Sequence, residues 1–74
     1  MLYWFQRCQK FYEIRASKNL LGQWQITRRY GRIGSKGRYI HEILDSKEHM
    51  RQRVESLIQY RIHRRHYTCV IEKQ

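Results

Sequence analysis

Short runs of apolar and aromatic residues with strand character fill much of this chain, and one longer stretch has a helical period instead. From Leu2 to Cys8 the residues are rich in aromatics and read as a strand. Phe11 to Ala16 reads as a second strand, with Tyr12, Ile14 and Ala16 on one face and Phe11, Glu13 and Arg15 on the other. The short Gln9-Lys10 connection predicts a hairpin, although it lacks a favoured turn dipeptide. Ser17 to Gln23 is a loop whose apolar pair, Leu20 and Leu21, is expected to tuck back onto the core. Trp24 to Ile33 alternates as a long strand that puts Trp24, Ile26 and Tyr30 on one face. Gly34-Ser35-Lys36-Gly37 is a turn, and Arg38 to Leu44 returns as a strand.

The period then becomes helical. Met50, Val54, Leu57, Ile58 and Ile62 form one apolar stripe in a helix expected from Lys47 to about Arg64. Asp45 or Ser46 can cap its start, and Glu48 sits in its first turn. Arg51, Arg53, Arg61, Arg64 and Arg65 fall off the stripe, and the last three would complement the helix dipole. Thr68 to Ile71 can add a closing strand. The predicted fold class is therefore α+β: a single small domain over residues 1–74, with a twisted antiparallel sheet and one helix packed against it.

Length and charge narrow the function. A chain of 74 residues buries only about 60% of its unfolded surface, which leaves little depth for a water-excluding catalytic cleft. Lys and Arg number 16 against 6 Asp and Glu, a net charge of +10. Eleven of the cations are Arg, whose planar fork matches phosphate oxygens and stacks on flat rings. Such a charge excess is the electrostatic footprint of nucleic-acid binding; the plain alternative is a solubilising surface. No stretch approaches the roughly 20 apolar residues of a membrane span, and no signal peptide is evident. A cytoplasmic or otherwise intracellular location is expected, with association to the nucleoid as one form of it. Cys8 and Cys69, with no CxxC pattern, are then expected as buried reduced thiols.

The segment from Arg28 to Arg38 holds the densest chemistry. Arg28, Arg29, Arg32, Lys36 and Arg38 surround Tyr30, with Gly31, Gly34 and Gly37 between them. An aromatic flanked by Arg can stack a base or sugar while the cations hold phosphate, and glycine lets backbone approach a ligand. The competing reading is a hairpin whose glycines serve turns and whose arginines are solvated. Ile33-Gly34-Ser35-Lys36-Gly37 also matches the loop of KH domains, but that loop joins two helices, whereas both flanks here alternate like strands. His63, His66 and Cys69 are spaced by three, without the fourth ligand that structural zinc wants, so no metal and no cofactor is expected. No nucleophile is paired with a base, and the chain reads as a binding module rather than an enzyme.

These residues resemble the WGR domain family. Its Trp-Gly-Arg signature appears as Tyr30-Gly31-Arg32, and its Leu-Phe-Gly-x-Trp lead as Leu20-Leu21-Gly22-Gln23-Trp24. Phe11-Tyr12, Arg32-Ile33-Gly34-Ser35, Gly37, the helix after Ser46 and the basic stretch ending in Tyr67 extend the likeness over roughly residues 2 to 67. The chain departs from the family by carrying Tyr30 in place of the name-giving Trp, and by a short connection near Gln9. The resemblance implies an antiparallel sheet with one helix. It also implies a role like that of the domain in poly(ADP-ribose) polymerases, where the signature aromatic stacks at a DNA break and the Arg contacts the terminal phosphate region or a neighbouring domain. By position, Tyr30 would stack and Arg32 would hold phosphate or a partner. The expected partner is nucleic acid, DNA ahead of RNA, with DNA ends or nicks preferred. A catalytic role in signalling would need a separate protein partner, and the competing function is an adaptor that docks on an acidic partner domain. Alternation puts Tyr30 on the face of Trp24 and Ile26, so an exposed Tyr30 calls for a bend near Gly31.

Overall fold

A computed structural model describes all residues from Met1 to Gln74. Five strands, β1 (Leu2–Arg7), β2 (Lys10–Lys18), β3 (Trp24–Arg32), β4 (Arg38–Leu44) and β5 (Thr68–Lys73), form one antiparallel sheet in the order β4-β3-β2-β1-β5. One helix, α1 (Lys47–Gln59), covers one face of it. The α+β arrangement expected from the alternation is the observed one.

Register explains why these strands share a core. Tyr12 lies opposite Phe5 on one side and Tyr30 on the other; Ile14 lies opposite Tyr3 and Arg28; Ala16 lies opposite Ile26. Because side chains alternate, all of these point to the same face. There they meet Met50, Val54 and Leu57 of α1, and Tyr67 closes the cluster. Ile58 and Ile62 pack at its margin rather than within it. Ser46 is the N-cap: its Oγ accepts from the His49 amide at 3.1 Å, while Asp45 instead contacts the His49 ring.

The helical segment runs to the expected Arg64, but only its first 13 residues are α-helical. After Gln59 the chain widens into a π-helical turn, Tyr60–Arg64, and then reverses at His66, which adopts φ +58°. The Tyr67 amide donates to the Arg61 carbonyl at 2.9 Å, which locks the reversal. Neither Gly nor Pro marks this stop. A left-handed residue other than glycine carries it, so the sequence gives no punctuation there. As a consequence the last turn of α1 holds no cation, and Arg61 and Arg64 belong to the π turn.

Two other expectations fail for local reasons. Leu20 and Leu21 are fully solvent-exposed and do not tuck onto the core. Their turn is satisfied from within: Asn19 Oδ1 accepts from the Leu21 and Gln23 amides at 2.9 and 3.0 Å, so it needs no apolar anchor. Cys8 and Cys69 are exposed, not buried. Cys8 occupies the tight β1–β2 turn at φ +54°, and Cys69 lies on the outermost strand, where its Sγ contacts the Ile71 carbonyl. Local desolvation and, second, the Glu72 carboxylate hold the Cys69 thiol above its ordinary pKa. Ile33 to Gly37 joins two strands, as the alternation of its flanks implied, and not the two helices of a KH loop.

Candidate nucleic-acid interface

No bend occurs at Gly31. β3 runs straight through it, and Tyr30 stays on the helix-side face, half-buried against the core. Its ring lies 6.2 Å from that of Tyr12. Gly31 points the other way, and what needs its missing Cβ is the hairpin itself. A Cβ there would sit 3.0 Å from Gly37 Cα and 3.2 Å from Ser35 Oγ. On Gly37, at φ +79°, a Cβ would be 2.8 Å from the Tyr30 carbonyl oxygen and 2.9 Å from the Phe11 ring. The turn thus folds back over β3, and both glycines serve that close approach.

Tyr30 lines a cleft of about 450 Å³ between the end of the β3–β4 hairpin and the end of the helix. Arg28, Gly31 and Arg32 line it from β3, Lys10 from β2 and Ile40 from β4. The far wall comes from the π turn and the segment beyond it: Tyr60, Arg61, Arg65 and Tyr67. Five cations and three tyrosines therefore face one cavity. Cations this close repel one another unless an anion relieves them.

Arg61 occupies the centre of the aromatic set. Its guanidinium carbon lies 3.7 Å from the centroid of Tyr12, 5.3 Å from Tyr67 and 5.8 Å from Tyr30. A guanidinium over ring faces is attracted by their quadrupoles, which positions it without neutralising it. Arg28 differs: Glu42 on β4 accepts from it at 2.9 Å and also holds Arg53 of α1 at 2.9 Å, so one carboxylate ties sheet to helix. Two buried polar atoms beside this region, the Tyr12 hydroxyl and Arg28 Nε, find no hydrogen-bond partner in the chain.

The seven residues singled out in the sequence do not form one patch. Arg28, Tyr30, Gly31 and Arg32 line the cleft. Arg29 points to the opposite face of the sheet, where its Nε donates to Glu13 at 3.2 Å and its Nη1 to the Lys36 carbonyl at 3.1 Å. Lys36 and Arg38 are exposed but do not line the cleft. Sequence reasoning missed Lys10, Ile40 and Tyr60 as cleft residues, and assigned Arg61 and Arg65 to the helix dipole. Only Tyr67 carried a signal, through the family likeness. His63, His66 and Cys69 do not converge into a cluster of metal-ligating side chains.

A helix-backed antiparallel sheet with a basic, tyrosine-lined cleft defines a small α+β binding module. The family model of the WGR domain matches residues 5–74, nearly the whole chain, and the chain belongs to that family. No curated protein and no solved structure gives a significant match. No helix is long and apolar enough to cross a membrane.

Proposed function

We propose that this chain is a non-enzymatic nucleic-acid-binding domain that prefers DNA ends or nicks, and that the cleft beside Tyr30 is where it binds. The observation that carries the reading is the convergence of Lys10, Arg32, Arg61 and Arg65 on a cavity walled by Tyr30, Tyr60 and Tyr67. Phosphate chemistry wants forked cations, and an unstacked base or sugar wants a ring beside them. A strand end offers both an open stacking face and a terminal phosphate, which continuous duplex lacks. Tyr30 is the stacking residue and Arg32 the phosphate contact. The Arg61 guanidinium, held on ring faces, supplies fixed charge behind them. A catalytic activity coupled to such binding would belong to a protein partner. DNA as the partner implies an intracellular site of action, in the cytoplasm or at the nucleoid.

The phosphate role is tested with Arg32→Ala. Arg32 is exposed, so its contact is worth the lower end of the range for charged hydrogen bonds, about 1.5 kcal/mol or roughly tenfold in affinity. That loss is expected on 5′-phosphorylated blunt duplex and should largely vanish once the phosphate is removed. An equal loss with and without the phosphate removes Arg32 from the assignment.

A further inference from the structure

The side of the sheet away from the helix carries no second layer. Its residues are not the inert polar set that a solvated face requires. Four lie in one cross-strand row: Trp4 on β1 pairs with Glu13 on β2, Glu13 with Arg29 on β3, and Arg29 with Tyr39 on β4. The next row ends in Arg15, Thr27 and His41. Part of this chemistry serves the fold. Trp4 stacks on Phe11 at 4.9 Å with the rings 6° apart, the Arg29 guanidinium lies 4.8 Å from the Phe11 centroid, and Phe11 is only 1% exposed. Glu13, the row's one acid, is buried and held by Arg29 and Arg15.

The remainder is open to solvent. Tyr39 is 48% exposed, and its ring lies nearly parallel to that of exposed His41, with centroids 6.2 Å apart. The Arg15 side chain is 64% exposed. Flat rings on β1 and β4, with Arg29 between them, Arg15 one row on and a single acid against these two cations, are complementary to a chain of aromatic bases on a phosphate backbone. Strands about 4.8 Å apart put β1 and β4 about 14 Å from each other. Antiparallel sheets that read single strands stack two or three bases across such a width.

We infer that this face is a second binding surface, for single-stranded nucleic acid, on the opposite side of the sheet from the cleft. Tyr39 and His41 stack bases, and the exposed Arg15 guanidinium holds the adjacent backbone. The inference does not depend on the cleft reading, because the two sites share no side chain.

The test is a titration of labelled oligothymidylate and oligouridylate, each about twelve nucleotides long, a length within single-strand site sizes. A 5′-phosphorylated blunt duplex serves as control. Loss of one stacked base corresponds to about 5- to 150-fold in affinity. Tyr39→Ala combined with His41→Ala should weaken single-strand binding by at least about tenfold, leave duplex binding unchanged and leave the melting temperature near wild type. Tyr39→Phe should bind as wild type. In a Trp24→Phe background, single strands should quench Trp4 emission. Equal affinity for the two oligomers would mean that rings and phosphates, not the ribose hydroxyl, are read. Absence of single-strand binding by the wild type, as expected if the face docks a protein instead, overturns the inference. So does a double variant that binds single strands undiminished, or one that loses duplex binding equally.

Discussion

Raising the salt concentration from about 50 to about 200 mM should weaken DNA binding by about two orders of magnitude. Each phosphate neutralised by a protein cation releases condensed counterions, and the slope of log affinity against log salt is about −0.9 per contact on duplex DNA. The cleft presents Lys10, Arg28, Arg32, Arg61 and Arg65. Arg28 is already held by Glu42 at 2.9 Å, which leaves four cations without a carboxylate partner. Four contacts give a slope of about −3.6, and a fourfold rise in salt then costs roughly 150-fold in affinity. The Glu42 pairing sets this value below what the raw charge of the chain suggests. A slope near zero contradicts an electrostatic mechanism. Failure to bind DNA at any salt favours the adaptor reading, in which the basic surface meets an acidic protein domain.

Leu57→Ala should cost about 2 to 5 kcal/mol. Leu57 is 7% exposed and lies in the single core cluster between α1 and the sheet. A domain of this length holds a total stability of about 4 to 11 kcal/mol, at roughly 0.05 to 0.15 kcal/mol per residue. One truncation can therefore remove much of it. Chemical denaturation should show a lower midpoint, or a chain already unfolded in buffer. A variant that unfolds at the wild-type midpoint would mean that α1 does not dock through Leu57.

The sheet was legible because period-two alternation and turn chemistry agreed. Trp24, Ile26 and Tyr30 recur at even spacing on β3, Arg38 to Leu44 is rich in strand-forming residues, and glycines sit where the chain reverses between them. The start of α1 was legible from Ser46 and the apolar stripe. The helical extent to about Arg64 was legible too, but the π-helical widening at Tyr60–Arg64 and the left-handed reversal at His66 were not, because neither Gly nor Pro marks them. That hidden reversal matters to the candidate site. The reversal after the π turn brings Arg61, Arg65 and Tyr67 back toward Tyr30, so half the cleft was invisible in sequence. Arg29 shows the converse limit: it is adjacent to Arg28 in the chain, yet alternation sends it to the other face and into a pair with Glu13.

The signature glycines also read differently in three dimensions. Gly31 and Gly37 are compatible with a ligand approach in sequence, but each lies against the other across the hairpin. Both permit the close approach that folds the hairpin turn back over β3, and Gly31 also lines the cleft.

End recognition at the cleft turns on Tyr30. Affinity for blunt-ended linear DNA and for closed circular DNA should be measured on wild type, Tyr30→Ala and Tyr30→Trp, with the unfolding midpoint of each protein taken alongside. A stacked aromatic is worth about 1 to 3 kcal/mol. Tyr30→Ala should therefore lose about 5- to 150-fold on ends and far less on closed circles, while Tyr30→Trp retains or strengthens end binding. Equal losses on ends and circles by a Tyr30→Ala protein that remains folded would contradict end recognition through this residue.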